Sequence, residues 1–521
     1  MLKNAVAHRP LLSILILAAF LRLIAAFMSP GYLMHDDHFW VIEAASSWAD
    51  GEDYNNWMPW SQEAIGKDPQ PHYTNLVYSG LHYVFFKISN FIGISNPMKL
   101  ALVLRILHGL YSLIAVYLSY KITEVLSNRK SAIYVGLMMA ALAWMPLLSV
   151  HQLVEMVCIP PLLASAWVLI KNRKNYFQLK TLIISGIFLG LATGLRYQVG
   201  VFGFGFVLAL FSLGGAGNLL RSIKQSAILG GSAVFMFCVT QVPLDILLWS
   251  EPFAQLGAYI QYNLNESGNY PQGGPLNFIW VILALSLPPI SIFLVIGYFS
   301  SFKKFSLLVL PSLAFILFHS FFPNKQERFI LPALPFVIMA GIMGWEILRN
   351  RNTWLRSERI HKLGRIIMIF SITINIILLT FLTLSSKNTS EMMAMNAMRD
   401  FGDLENFIYV TTDDEAFAPR FYLGSWNKFT VADYTTNIAA QKQSHLQDST
   451  AIYPNYIVFV GDSHLGDLIT RFKREYQSLT YVAQFSPGKF DRILNYLNPH
   501  NPLRRVMVYK IDTLDIKDSN K

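Results

Sequence analysis

The sequence predicts a polytopic α-helical membrane protein with a C-terminal α/β domain outside the membrane. Three observations lead there. Of 521 residues, 53% are hydrophobic and only 14% are charged, whereas soluble domains carry about 25% charged residues. Long apolar runs recur as far as residue 384 and then stop. Short basic segments separate the runs and all fall on one side of the bilayer.

Runs long enough to cross a bilayer lie at 11–28, 100–124, 131–149, 154–170, 181–196, 198–214, 226–249, 277–299, 305–322, 329–348 and 364–384, which makes about eleven crossings. The first is expected to remain as a helix, because Arg22 interrupts its apolar stretch and no small-residue cleavage site follows. With the N-terminus cytoplasmic, the inside segments hold Lys3 and Arg9, Arg129 and Lys130, the group Lys171, Arg173, Lys174 and Lys180, then Arg221 and Lys224, and Lys303 and Lys304. The six cations from Arg349 to Arg365 complete the set. The outside segment 250–276 has no Lys or Arg. The net charge of +10 is therefore a topology signal, and no nucleic-acid partner is expected. An odd number of crossings leaves the C-terminal portion outside.

Residues 29–99 read as a long outside loop. Within it, the aromatic stretch 75–94 reads as an interfacial helix, since a span there would invert the charge bias downstream. From residue 385 onward the composition becomes that of a soluble domain. Short β-rich runs, Phe407–Thr411, Tyr456–Val460, Leu479–Phe485 and Val506–Ile511, alternate with polar helix-like stretches such as Asp467–Tyr476. The expected organisation is a membrane module over 1–384, including the loop 29–99, followed by an outside α/β domain over 385–521. Cys158 and Cys238 sit in apolar runs and indicate neither a disulfide nor a metal site. Asn265-Glu266-Ser267 and Asn388-Thr389-Ser390 match the glycosylation acceptor pattern, which matters only in a secretory lumen.

This topology collects the unusual polar residues on one face. His35-Asp36-Asp37-His38 and Glu43 follow the first crossing, Arg196 lies between two short runs, Asp245 ends the seventh crossing, and Asn324-Lys325-Gln326-Glu327-Arg328 joins the ninth and tenth. Arg22 lies within the first crossing. An Arg at a membrane edge is costly and suggests a task. Snorkelling would account for Arg22, and a solvated loop for Lys325 and Arg328. Alternatively these cations and Arg196 hold an anionic lipid head group, because guanidinium matches phosphate geometry. Asp36 and Asp37 read either as an N-cap for the helix that follows or as a general base with a raised pKa, and one can cap while the other faces a site. Four consecutive residues cannot converge on one ion, so no metal is expected. Trp57 and Trp60 read as interfacial anchors or as a sugar-stacking platform.

These motifs, in this order, resemble the multi-pass α-mannosyltransferases of lipid-linked oligosaccharide and GPI-anchor assembly, glycosyltransferase family 22 of the GT-C superfamily. The family has an Arg in its first helix and then His-Pro-Asp-Glu with aromatics and a later Glu. Here the matching run is Phe20-Leu21-Arg22-Leu23, then His35-Asp36-Asp37-His38-Phe39-Trp40, then Glu43. Gly51, Trp57 and Trp60 are loosely comparable to a Gly and a paired-Trp motif. Leu104-Arg105-Ile106 opens the second crossing much as in the family. Gly190 to Arg196 is similar to its Arg-containing junction, with Tyr197 where the family has Pro. Asp245, Tyr262-Asn263 and Gly273 resemble its outside loop. Asn324-Lys325-Gln326-Glu327-Arg328-Phe329-Ile330-Leu331-Pro332-Ala333-Leu334-Pro335 resembles the family's His-Lys-Glu-x-Arg-Phe-x-x-Pro-x-x-Pro. The resemblance covers roughly residues 15–345. Asp36, His38, Asn324 and Gln326 depart from the family pattern, which points to a divergent bacterial branch.

The resemblance implies a GT-C fold and an inverting hexosyl transfer, of mannose or a relative, from a polyprenyl-phosphate sugar to a glycan, glycolipid or protein acceptor. In that reading Asp37 is the base and Asp36 its alternate or an orienting group. Arg196, Lys325 and Arg328, with Arg22, hold the donor phosphate, and His35, Glu43, Trp57, Trp60 and Asp245 contribute to substrate binding. No cofactor is implied, and a lipid-monophosphate donor needs no divalent metal to neutralise a diphosphate. The implied location is a bacterial plasma membrane with the active face periplasmic; an endoplasmic-reticulum membrane with a lumenal face is the alternative. Two other readings use the same residues: a transporter or flippase for a lipid-linked or anionic substrate, and a glycolipid-binding relative without activity. A transporter calls for polar groups near the midplane and related halves, and neither is visible here.

Overall fold

A computed structural model of the chain describes residues 9–172, 178–214, 218–270, 272–412, 417–426, 429–447, 452–462, 465–476, 478–499, 501 and 503–511. Lys3, Arg173 and Lys174 lie outside the described residues. Two compact units make up the chain. The first gathers the described residues of Met1–Ala26, Asn56–Leu81 and Leu104–Leu384; the second gathers those of Phe27–Asn55, His82–Val103 and Ser385–Lys521.

The first unit is helical. Among the described residues, seven helices are long and apolar enough to cross a membrane: Pro10–Met28, Pro97–Leu126, Val154–Lys171, Tyr197–Gly214, Leu219–Trp249, Glu327–Arg351 and Glu358–Thr383. Shorter apolar helices cover Leu179–Leu195, Ile290–Ser300 and Ser306–Phe321. Two expected runs are interrupted. The run 131–149 becomes Arg129–Ala141 and Met145–Val150, and the run 277–299 becomes Asn277–Leu285 and Ile290–Ser300, with Leu287-Pro288-Pro289 between. Pro lacks the amide proton that a continuing helix needs and restricts the residue before it, which accounts for the second break.

Small residues set the closest helix contacts. Gly186, Gly190 and Gly194 line one face of Leu179–Leu195. A Cβ on any of them would overlap an atom of the helix Leu219–Trp249, at Leu229, Ala233 or Thr240. This small-residue spacing of four lets backbones approach in an apolar solvent, where dispersion drives association. Asn128 caps the helix Arg129–Ala141 by accepting the Ser131 amide at 3.0 Å, which satisfies one of the orphan N–H groups at a helix start.

The second unit holds a five-stranded sheet with strands β1 Phe407–Thr411, β2 Thr430–Ala432, β3 Tyr456–Gly461, β4 Leu479–Phe485 and β5 Arg505–Ile511. Its order is β2-β1-β3-β5-β4. β1 runs parallel to β2 and β3, while β5 is antiparallel to β3 and β4. Central strands β1 and β3 are buried along their whole length, as continuous apolar strands covered on both faces must be. One face packs on Leu465–Glu475, whose Leu465, Leu468, Ile469 and Phe472 form a single buried stripe. The opposite face receives Thr389–Met398, whose Met392, Met395 and Met398 are buried. The four strands read from sequence occur within a residue of their expected bounds. The three-residue β2 is too short to leave a period-two signal.

Residues 27–55 belong to this second unit. Gly31 (φ +91°) is positioned so that a Cβ would overlap the Lys387 carbonyl oxygen, and Asn388 donates its amide to the Tyr32 carbonyl at 3.2 Å. Tyr32 donates its hydroxyl to Glu391 at 3.0 Å. The expected interfacial stretch 75–94 forms the helix Leu76–Phe91.

Candidate active site

In the second unit the acidic pair lies on one short helix, His35–Asp37, which widens into a π-helical turn over His38–Glu43. Such turns concentrate at functional sites. Asp37 is buried, and its Oδ1 accepts the Met34 amide at 2.9 Å. It is thus the cap of its own helix, and the hydrogen bond fixes the carboxylate's direction. Asp36 is more open, with its carboxylate 26% exposed and 3.6 Å from His35 Nδ1. His35 stacks on Phe39 with centroids 4.6 Å apart. Its Nε2 is buried without a hydrogen-bond partner among the described residues.

His38, where the mannosyltransferase pattern has Glu, is fully buried between two rings. It stacks on Tyr32 at 4.7 Å and on Tyr422 at 5.2 Å, each within about 12° of parallel. Its Nε2 meets Glu43 Oε1 at 2.9 Å, and the same oxygen accepts the Phe421 amide at 2.9 Å. Glu43 has no exposed surface. It therefore positions the turn that follows Asp36 and Asp37, through the C-terminal segment Arg420–Leu423.

Lys387, which the sequence reading did not single out, lies close enough for its charge to act on Asp37 and Asp491. Burial nevertheless pushes the Lys387 ammonium below its ordinary pKa. Asp491 moves up, chiefly through burial, against the lowering effect of the Asn388 and Gly488 amides. A lysine at the point where a membrane helix gives way to a soluble domain carries no signal of its own in sequence.

The first unit holds the predicted cations. Arg196 is buried and donates to Glu155 Oε1 at 2.5 Å and to Gln198 Oε1 at 2.5 Å. Arg328 Nε lies 3.6 Å from the same Glu155 oxygen and donates to Gln326 at 2.9 Å. Both guanidiniums lie against Phe329, at 5.0 and 5.7 Å from its ring centre. Two cations thus share one carboxylate, leaving this trio with a net positive charge. Sequence reading missed Glu155, although a single acid in an apolar run was a usable signal.

The other two predicted cations are committed to helix ends. Arg22 donates to Ser112 Oγ at 2.6 Å and to the Ala18, Met139 and Ala140 carbonyls at 3.1–3.2 Å. It satisfies carbonyls at the end of Arg129–Ala141 that no helical amide reaches. Lys325 donates to the carbonyls of His319, Ser320 and Phe322 at 2.9, 2.6 and 2.5 Å, which caps the helix Ser306–Phe321. Burial lowers the Lys325 pKa. Asp245 is buried, and its Oδ1 accepts the Gln255 amide at 3.4 Å, which ties down the segment after its helix. Trp57 is buried and stacks on His72 at 3.8 Å, whereas Trp60 is half exposed. Tyr262 stacks on Tyr73 at 3.6 Å.

The fold defines the class of protein. ArnT from Cupriavidus metallidurans bound to undecaprenyl phosphate aligns with a TM-score of 0.56 at 11% identity, covering 95% of this chain and 97% of its own. The Archaeoglobus fulgidus oligosaccharyltransferase in its apo form aligns with a TM-score of 0.50 at 12% identity, covering 87% of this chain and 69% of its own. The archaeal oligosaccharyltransferase AglB from the same organism, in complex with an inhibitory peptide and a dolichol-phosphate, gives the same score, identity and coverage. The chain has the GT-C fold of multi-pass membrane glycosyltransferases. The family model of the Alg9-like mannosyltransferase family matches residues 13–413. The chain belongs to that family and is a membrane glycosyltransferase. No curated protein matches it by sequence.

Proposed function

We propose that the enzyme transfers mannose or a related hexose from a polyprenyl-phosphate donor to a hydroxyl of a glycan, glycolipid or protein acceptor, with inversion at the anomeric carbon. The observation that carries this reading is the Asp37 carboxylate, held at the entry to a π-helical turn by the Met34 amide at 2.9 Å, in a chain of the mannosyltransferase family. The ligands bound to ArnT and AglB, undecaprenyl phosphate and a dolichol-phosphate, support a polyprenyl-phosphate donor.

Asp37 takes the proton of the acceptor hydroxyl as its oxygen forms a bond to the anomeric carbon. The bond from that carbon to the donor phosphate oxygen breaks, and the polyprenyl phosphate leaves with the electron pair. A base needs fixed geometry before it needs a shifted pKa, and the hydrogen bond at Asp37 Oδ1 supplies it. Arg196 and Arg328 stabilise the charge that accumulates on the departing phosphate, because their own counter-ion, Glu155, neutralises only one of them. Arg22 and Lys325 act as ties between helix ends, and Glu43 and Asp245 as positioning residues. Asp36 is the alternate base, and Trp60 is the sugar-stacking candidate that keeps an exposed face. The proposed location is a bacterial plasma membrane with these groups on its periplasmic side.

The test uses purified enzyme in liposomes with radiolabelled polyprenyl-phosphate mannose and a glycolipid extract. Label covalently joined to an acceptor supports the proposal. Label recovered only as intact donor on the opposite leaflet would overturn it in favour of transport.

A further inference from the structure

The second unit contains a cavity of about 170 Å³ that the mechanism above does not use. Its wall is built from the first outside loop, through Tyr32 and His35, and from the C-terminal domain, through Lys387, Asp491, Leu494 and Arg504. At about 30 Å³ per water the space equals about six water molecules. It is smaller than the roughly 300 Å³ at which pockets for drug-sized ligands begin, and so suits one ring rather than a lipid or an extended chain.

The polar groups of the wall are balanced in charge and mixed in hydrogen-bonding sense. Arg504 is held by Glu391 at 3.1 Å, and Glu391 is fully buried, so this cation is already neutralised. Asp491 accepts the Asn388 amide on Oδ1 and the Gly488 amide on Oδ2, both at 3.2 Å. Each oxygen retains a further lone pair. Asn501 gives its side-chain N–H groups to the Leu494 and Asn498 carbonyls and keeps its carbonyl oxygen as an acceptor. Lys387 contributes three donors, and His35 Nε2 is buried without a partner among the described residues. Leu494 and the His35 ring add apolar surface. An anion site would show unopposed cations. Here two cations meet two carboxylates, with donors and acceptors around an apolar patch, the arrangement a neutral polyhydroxyl ring requires.

We propose that this cavity is a carbohydrate subsite that holds a monosaccharide ring of the acceptor, with Lys387, Asp491 and Asn501 bonding its hydroxyls against Leu494. The inference rests on the transferase reading for the word acceptor, but the site itself can be tested without transfer. His35 immediately precedes Asp36, and the Lys387 charge acts on Asp37. A ring in the cavity therefore meets His35, whose Nδ1 lies 3.6 Å from the Asp36 carboxylate. The C-terminal domain then has a recognition role, and residues 27–55 fold with it because the base and the acceptor subsite must share one frame.

The experiment is saturation-transfer NMR on the full-length protein in detergent, with millimolar methyl α-mannopyranoside as the probe and inorganic phosphate as the competitor. The glycoside receives saturation. Leu494→Trp, which fills the cavity, removes the signal, and Lys387→Met weakens binding about tenfold, the loss expected for one hydrogen bond to a charged group. Both variants are checked for an unchanged melting temperature; Asn501→Ala replaces either one that fails this check. Phosphate does not displace the glycoside. Absence of glycoside contact, contact unaffected by Leu494→Trp, or displacement by phosphate overturns the assignment. Glycoside binding without any transfer from the lipid donor leaves the subsite standing and removes the transferase reading instead.

Discussion

Glu155→Gln is the perturbation whose size follows most directly from the geometry. Glu155 is 1% exposed and serves two cations with one oxygen, Arg196 Nη1 at 2.5 Å and Arg328 Nε at 3.6 Å. Breaking a buried ion pair costs about 3–5 kcal/mol, because it leaves an uncompensated charge. Gln keeps a carbonyl oxygen for Arg196, which places the variant at the lower end, at about 3 kcal/mol. At about 2 °C per kcal/mol for a large chain, the melting temperature should fall by about 6 °C. The substitution also raises the charge of the trio by one unit, so affinity for polyprenyl phosphate should hold or tighten while stability drops. The assay pairs a thermal melt in detergent with binding of polyprenyl phosphate. The double variant Glu155→Gln, Arg196→Gln should recover part of the lost stability, since one buried cation is then gone. An unchanged melting temperature in the single variant would refute the shared-carboxylate account. Weakened phosphate binding without loss of stability would show that Glu155 serves the ligand rather than the cations.

Other perturbations follow from the same reasoning. Gly31→Ala combines an unfavourable positive φ, which costs about 1–3 kcal/mol, with overlap on the Lys387 carbonyl. Limited proteolysis should therefore release the C-terminal segment earlier than in the parent. His38→Phe keeps the stack between Tyr32 and Tyr422 but leaves Glu43 Oε1 with the Phe421 amide alone. A loss of about 1–3 kcal/mol is expected, read as a lower melting temperature. Asp491 is raised chiefly by burial, so the folded chain holds its proton more tightly than the unfolded chain. Its contribution is fully present below the ordinary carboxylate range and is lost as pH rises through the raised value. Asp491→Asn should flatten that part of the stability–pH profile, measured as melting temperature against pH.

Most of the fold was legible in the sequence because its signals are local. The apolar runs, the basic segments between them and the short β-rich runs after residue 406 each declare themselves within a short window. What was not legible depends on pairing across distance. Glu155 reads as an isolated acid until Arg196 and Arg328 are brought to it, and the role of His38 requires Tyr422 and Glu43 together. Arg22 and Lys325 carry the charge and position of phosphate ligands, yet helix-end carbonyls occupy their donors. The grouping of residues 27–55 with 385–521 rests on Gly31, Tyr32 and Asn388, for which sequence order gives no hint. Asp36 and Asp37 were recognisable as a pair, and burial together with the Met34 hydrogen bond distinguishes the anchored Asp37 carboxylate from the more open Asp36.

The measurement that bears most directly on the central claim is hexosyl transfer by purified Asp37→Asn, run beside donor binding and beside Asp36→Asn. Asn preserves the size of the side chain and an acceptor oxygen for the Met34 amide but cannot take a proton. The account predicts that Asp37→Asn loses transfer from polyprenyl-phosphate sugar while binding the donor as the parent does. Full transfer by Asp37→Asn, with Asp36→Asn inactive, would contradict it and assign the base to Asp36.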